Sequence, residues 1–229
     1  FQHKISEYSY KIKIMKKLDN NYLKPSKEQI NNLLENYQAK RYKDVEKLSK
    51  SITQEFPEHP FAWKVLAVVL KLTGRLSESL IPGQKSVQLE PRDAEAHNNL
   101  GIILQELNKL DEAEVNLRRA IVLKPDYAEA YYNLGIALKE LGKLKEAEES
   151  YKQAIALKPE YAEAYNNMGE LLKQPGRLDE ALVSYNKAIE IKINYSEAYS
   201  NRNFCLNYSS LWSPLFIYKQ HLEFEKQFG

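Results

Sequence analysis

Four asparagines recur along the chain at a fixed spacing and could hold the backbone of a peptide. Asn99, Asn133, Asn167 and Asn201 lie 34 residues apart. An amide side chain offers two N–H donors and a carbonyl acceptor, which can pair with the backbone of an extended peptide. Asparagine is a mediocre helix former, so its regular recurrence on predicted helices calls for a reason. A second explanation stays open, in which each asparagine hydrogen-bonds to the neighbouring repeat.

The candidate binding set extends from these asparagines to residues close to them in sequence. It comprises Asn98, Asn99, Tyr132, Asn133, Asn166, Asn167, Glu170 and Asn201. We expect these side chains to line a concave groove that binds a protein or an extended peptide. A second recurring set, Glu95, Glu129, Glu163 and Glu197, falls in the first turn of the predicted helices. The helix dipole favours acids there, and they would make one edge of the groove acidic.

Residues that could carry catalysis or bind a metal show no pattern of a known site. The four histidines at 3, 59, 97 and 221 have no second histidine or cysteine three or four residues away, which argues against a zinc site. Cys205, between Phe204 and Leu206, is predicted to pack as a small apolar residue. No glycine-rich phosphate-binding loop is present in the sequence. We therefore expect no metal, no cofactor and no catalytic activity in this chain.

The elements that position the asparagines follow from a 34-residue period. Proline recurs at 57, 91, 125 and 159, and small residues recur at Gly101, Gly135 and Gly169 and at Ala113, Ala147 and Ala181. This period, with small residues where two helices cross and a terminal proline, is typical of stacked helix–turn–helix units. Residues 60–195 closely resemble the tetratricopeptide repeat. The resemblance implies an all-α, right-handed superhelical solenoid of antiparallel helix pairs.

The period divides the chain into repeats. Five are predicted, at residues 26–59, 60–93, 94–127, 128–161 and 162–195. Residues 1–25 form either a basic extension or an extra helix, and residues 196–229 supply a sixth first helix and a C-terminal helix leading to a further domain. Pro82 and Gly83 fall inside a predicted second helix, where we expect a kink or a short break. Pro175 is expected to shorten a first helix.

The segment after the last repeat suggests a setting for the repeats. Leu206-Asn207-Tyr208, Ser213-Pro214 and His221 resemble the junction of bacterial O-GlcNAc-transferase-like, SPINDLY-type family 41 glycosyltransferases. The resemblance implies that the asparagines hold a protein substrate and that the chain is the substrate-recognition arm of such an enzyme. The alternative is a stand-alone adaptor that forms homo-oligomers through its terminal helices.

Composition and charge narrow the function classes further. The 229 residues are 43% hydrophobic and carry a formal charge of +2, which is typical of a folded chain and gives no reason to expect nucleic acid as a partner. No apolar run approaches the roughly 18–20 residues needed to span a membrane, so we expect no membrane partner. A single cysteine favours a reducing compartment, and we expect a cytoplasmic location.

Overall fold

The computed structural model describes residues 24–174, 176–208 and 212–229. Within these ranges the chain forms twelve α-helices and no strand, which confirms the predicted all-helical repeat fold. Pro175 and nearly all of the predicted N-terminal extension, residues 1–25, lie outside the described residues. The helices are α1 Lys27–Gln38, α2 Tyr42–Glu55, α3 Pro60–Leu72, α4 Leu76–Leu89, α5 Ala94–Glu106, α6 Leu110–Leu123, α7 Ala128–Glu140, α8 Leu144–Leu157, α9 Ala162–Leu172, α10 Leu178–Ile191, α11 Ser196–Tyr208 and α12 Pro214–Phe228.

Odd-numbered helices are the first helices of the repeats, and even-numbered helices are the second helices. The chain separates into two compact units, the first ending at Leu107 and the second beginning at Asn108. In the first unit each helix from α1 to α5 packs on the next, around a core that includes Leu33, Val45 and Leu66. In the second unit the same succession runs from α6 to α12, around a core that includes Tyr151 and Tyr185.

Two first helices require glycine at one position, because a tyrosine ring of the paired second helix occupies the space that a Cβ atom would take. A Cβ atom added to Gly135 would lie 2.5 Å from Cε1 of Tyr151, and one added to Gly169 would lie 2.7 Å from Cε1 of Tyr185. Both tyrosines are fully buried. The small residues of the repeat therefore make room for an aromatic ring between the paired helices.

The turn inside each repeat needs a backbone of positive φ at one position. Gly74, Gly142 and Gly176 adopt φ values of +78°, +74° and +86°. At the same place in the frame stand Lys40 with φ +56° and Asn108 with φ +58°. Glycine adopts this conformation with the least strain, and asparagine tolerates it better than most residues.

The helix α4 runs without interruption through Pro82, so of the expected kink or short break, the break does not occur. Pro82 has no N–H to donate to the carbonyl of Glu78. Because Glu78 is exposed, water can donate to that carbonyl instead. Pro82 and Gly83 are both buried between neighbouring helices. A Cβ atom on Gly83 would lie 3.3 Å from Cδ1 of Leu100, so glycine here allows α5 to pack closely on α4. Packing on both sides keeps the helix continuous.

The last helix, α12, covers part of the second unit. The Ser213 hydroxyl accepts a hydrogen bond from the backbone N–H of Phe216 at 3.2 Å, which caps the helix beside Pro214. Phe216 packs on the main core of this unit, and Phe228 packs on a smaller cluster with Tyr199. Across the described helices, none has the length and apolarity required to cross a membrane.

Candidate functional site

The predicted asparagines of the second unit lie on the surface formed by the first helices α7, α9 and α11, here called the first-helix face. Asn167 Nδ2 donates to the Tyr132 hydroxyl at 3.1 Å. Asn201 Nδ2 donates to Asn166 Oδ1, also at 3.1 Å. Each bond runs from one first helix to the preceding one, so for these two asparagines the structure shows the bond to the neighbouring repeat that we had left open.

These bonds leave much of each amide unused. Asn167 and Asn201 are both half-buried, and each spends one N–H on its neighbour. The Asn167 carbonyl also accepts from Asn166 Nδ2 at 3.5 Å. Each amide keeps a second N–H, and Asn201 keeps its carbonyl as well, so both residues can still bond to a ligand. The bond to the neighbour also fixes the side-chain rotamer, which lowers the entropy lost when a ligand binds.

Two predicted residues are buried instead of lining the surface. Asn98 is 4% exposed and Asn166 is 0% exposed. Asn166 accepts from Asn201 and donates to Glu197 Oε1 at 3.1 Å, so it joins α9 to α11. The expectation that these residues touch a peptide directly is corrected, because the helices around them already enclose their side chains. Asn166 supports the surface asparagines Asn167 and Asn201.

Tyr132 is half-buried, and its hydroxyl fixes the side chain of Asn167 by accepting its hydrogen bond. Its ring lies 4.9 Å from the Tyr161 ring and 6.2 Å from the Tyr151 ring, measured between centroids. Burial raises the pKa of the Tyr132 hydroxyl, and the charge of Glu163 raises it further. The hydroxyl is therefore a neutral group that accepts from Asn167.

Charged and aromatic side chains border the asparagines, and most of them were missed in the sequence. Glu170, a predicted site residue, forms an ion pair with Lys139 at 2.6 Å. Lys173 lies over the ring of Phe204, with Nζ 4.9 Å from the ring centroid. Phe204 is 48% exposed and lies 4.8 Å from the ring of Tyr208. The frame could have indicated this site, because the lysines share one repeat position while Glu170 and Phe204 share another.

The recurring glutamates at the start of the first helices are partly neutralised. Glu129 pairs with Lys158 at 3.2 Å, and Glu163 pairs with Lys192 at 3.0 Å. Burial opposes ionisation of Glu129, but its own backbone N–H and Lys158 outweigh burial and lower its pKa. These acids make a weaker negative edge than the sequence suggests.

In the first unit the first helices α1, α3 and α5 form a surface on which apolar residues predominate. Asn99 is half-buried on α5, but Val65 stands 34 residues earlier, in the place of an asparagine. A pocket of about 120 Å³ opens there, between α1, α3 and α5. It is lined by Leu33, Leu34, Tyr37, Phe61, Lys64, Val65, Val68 and Glu95.

Lys64 anchors one side of this pocket. Its Nζ lies 2.9 Å from Asp93 Oδ2 and 2.7 Å from Glu95 Oε2. Burial opposes its charge, but the two carboxylates outweigh burial and raise the pKa of Lys64. Asp93 also caps α5 by accepting from the backbone N–H groups of Glu95 and Ala96.

A larger cleft of the second unit lies among α6, α7 and α8. It encloses about 430 Å³ and is bordered by Arg118 and Glu146. Arg118 is paired with Glu114 at 2.9 Å and also with Glu146. These ion pairs neutralise the guanidinium, so the cleft offers a ligand no free charge at this residue. Asn133, the remaining predicted residue, is half-buried on α7.

Sequence and structure comparisons identify the repeats. A family model described as TPR repeat matches residues 103–142 and 137–176. Two models described as tetratricopeptide repeat match residues 83–115 and 162–195. The chain therefore contains tetratricopeptide repeats. None of the curated proteins matches it at a significant level.

Solved structures of repeat proteins are similar to the chain. TTC0263, a thermophilic TPR protein of Thermus thermophilus, is 27% identical, with 78% of this chain and 97% of that chain covered and a TM-score of 0.64. MamA is 26% identical, with 71% and 95% covered and a TM-score of 0.63. YrrB, described as a TPR protein with an unusual peptide-binding site, is 21% identical, with 79% and 93% covered and a TM-score of 0.63, a likeness in fold. These matches give no support to the resemblance of residues 206–221 to glycosyltransferases.

Proposed function

We propose that this repeat scaffold binds an extended peptide on the first-helix face of its second unit. The observation that carries the proposal is the position of Asn167 and Asn201. Both are half-buried, both are held by a neighbouring side chain, and both keep an unused N–H donor, while Asn201 also keeps its carbonyl acceptor. Such amides can pair with a peptide backbone whatever its side chains are.

The surroundings of the two asparagines favour a peptide that brings an apolar side chain. Phe204 and Tyr208 are exposed next to each other at the α11 end of the face. Adjacent aromatic rings on a surface supply a large apolar contact at a low cost in side-chain entropy. Because Lys139 and Glu170 neutralise each other, charge adds little to selection here. The fold likeness to YrrB is in keeping with this proposal but assigns none of these residues.

Selection of peptides from a random phage-displayed library, followed by fluorescence anisotropy, tests the proposal. We expect selected peptides to lose about tenfold in affinity with Asn201→Ala and with Phe204→Ala, since each removes a central contact. Asn116→Ala on α6, where the amide donates to the carbonyl of Glu112, is the matched control and should bind normally. Peptides whose affinity all three variants leave unchanged would place the binding site elsewhere.

A more specific setting, the recognition arm of a glycosyltransferase, rests on the short sequence match in the tail. Two residues of that match are close together, since His221 Nε2 lies 3.3 Å from Asn207 Oδ1. Sequencing the gene beyond the codon of Gly229 tests this setting. A nucleotide-sugar-binding domain in the same reading frame would support it, and a stop codon would rule it out.

Self-assembly is a second candidate, favoured by one exposed face of α12. Leu215 is 64% exposed and Tyr218 is 61% exposed. If this face joins two copies, sedimentation should show a dimer that becomes a monomer in the double variant Leu215→Ser, Tyr218→Ser. A chain that is monomeric before substitution would exclude this candidate.

A further inference from the structure

An arginine replaces an apolar core residue in α11, the first helix of the last helix pair. Leu100, Leu134 and Met168 occupy one position of the repeat frame, and Arg202 follows 34 residues after Met168. Arg202 is only 9% exposed. The next position, glycine in the preceding repeats, is Asn203. The repeat has therefore exchanged a packing pair for a polar pair at this one place.

The guanidinium of Arg202 has an amide for a partner and no carboxylate. Its Nε and Nη2 donate to Asn203 Oδ1 at 3.3 and 3.1 Å. Its Cζ lies 5.0 Å from the centroid of the Tyr199 ring. No acidic group forms an ion pair with it within the parts of the chain that the structure describes. A guanidinium carries five N–H groups, so most of its donors remain available. A buried charge without a counter-charge is unfavourable.

One residue of the cleft replaces an acid of the repeat frame. Glu114 and Glu148 occupy one frame position on the second helices and form ion pairs with Lys143 and Arg177, both at 2.7 Å. At the same position, 34 residues after Glu148, stands Leu182. Leu182 lines the same cleft as Arg202. A leucine therefore lines the Arg202 cleft at a position where the two preceding second helices carry an acid.

The cleft around Arg202 has the size and walls to hold a carboxylate. It encloses about 60 Å³ between α10, α11 and α12. Trp212 and Phe216 form one wall, with ring centroids 4.5 Å apart and planes at 21°. Leu182 and Leu206 add apolar surface, and Gln220 adds a side-chain amide. A charged end beside an apolar wall matches a carboxylate on a short methylene chain.

We propose that this cleft is a second peptide-binding site, in which Arg202 binds the carboxylate of an acidic side chain of a partner peptide. The site is separate from the first-helix face and does not depend on the function proposed there. Glu223, an acid whose charge acts on Arg202, is exposed on α12 and accepts from Gln220 Nε2 at 3.0 Å. Glu223 acts on Arg202 through space and does not occupy the cleft.

NMR titration of the chain with capped glutamate, N-acetyl-L-glutamate N-methylamide, tests the proposal. The chain has two tryptophans, so each indole N–H gives an assignable signal. Trp212 lines the cleft, whereas the indole N–H of Trp63 donates to the carbonyl of Pro57 and serves as the internal control. We expect the Trp212 signal to shift with a Kd of about 1 mM while the Trp63 signal stays in place. Capped glutamine at the same concentrations should leave both signals unchanged.

Two variants connect the response to Arg202. Arg202→Met restores the residue type of Met168, so the fold should be kept while the Trp212 response is lost. Leu182→Glu supplies an internal carboxylate in the cleft and should weaken binding by about tenfold. An equal response to capped glutamine, no response to capped glutamate, or a response that survives Arg202→Met would each overturn the proposal. Unchanged affinity in Leu182→Glu would also contradict it.

Discussion

Asn201 on α11 donates a hydrogen bond to the fully buried Asn166 on α9, at 3.1 Å. Asn166 Nδ2 in turn donates a hydrogen bond to Glu197 Oε1, which is also on α11. The two bonds join successive first helices through a single amide. A surface that could bind a peptide is therefore also part of what holds neighbouring repeats together.

The first prediction concerns Asn166. Replacing it with alanine leaves the Asn201 amide and Glu197 without their buried partner and creates a small cavity. We expect Asn166→Ala to lower the free energy of unfolding by about 1–3 kcal/mol. Urea denaturation measures this value. Asn116→Ala, which removes an amide that donates to the carbonyl of Glu112 on its own helix, should cost less than about 0.5 kcal/mol.

The second prediction concerns the contact of Gly135 with Tyr151. Gly135→Ala places a Cβ atom 2.5 Å from the ring of a fully buried tyrosine, so helix or ring must move. We expect a loss of about 1–3 kcal/mol in the free energy of unfolding, although alanine is the better helix former. Gly142→Ala is a useful comparison, because there the loss should come from the positive φ and not from crowding. Combining Gly135→Ala with Tyr151→Leu should recover part of the loss, whereas strict additivity would refute the crowding explanation.

The third prediction is a dependence of stability on pH through Glu148. Hydrogen bonds from Arg177 and then Lys152 lower the pKa of Glu148 from 4.5 to about 2. Since the folded-state pKa lies below the unfolded one, this stabilisation is complete above about pH 4.5 and is lost as pH falls towards about 2. In Glu148→Gln, the decrease in urea midpoint across this window should be shallower. Glu149→Gln, which removes an exposed charge from the same helix, should keep the steep decrease.

The fourth prediction separates two roles of Asp93. This residue caps α5 and pairs with Lys64 at 2.9 Å. Asp93→Ala removes both interactions and should cost about 1–2 kcal/mol of unfolding free energy. Asp93→Asn keeps a capping side chain and loses only the ion pair, so its cost should be clearly smaller in the same urea experiment. Equal costs would mean that the cap contributes little.

The fold follows from the sequence where a residue type has a local cause. The proline spacing and the small residues predict the helix pairs, and Gly74 and Gly142 predict the turns because positive φ favours glycine. The predicted break at Pro82 was wrong, because tertiary packing on both sides of α4 keeps the helix continuous. Local rules give the cost of a proline but not the packing that offsets it.

The site was less predictable because it depends on which side chains meet between repeats. Asn166 and Asn201 occupy different positions of the 34-residue repeat, so the sequence does not pair them. Only the packing of α9 on α11 shows that they form a hydrogen bond. The repeat frame also shows that Phe204 departs from the isoleucines at 102 and 136. It does not show that the Lys173 ammonium lies over the Phe204 ring. The pocket beside Val65 was not predicted, because the recurring asparagine that marks the site in later repeats is replaced there by valine.

The most direct test of the central claim is an NMR titration that follows the side-chain amide signals of asparagine while a library-selected peptide is added. We predict that the signals of Asn201 and Asn167 shift together and saturate at the Kd found by anisotropy, while the signal of Asn116 stays unchanged. Saturable shifts at Asn116, with Asn201 and Asn167 unaffected, would contradict the claim and move peptide binding to the second helices.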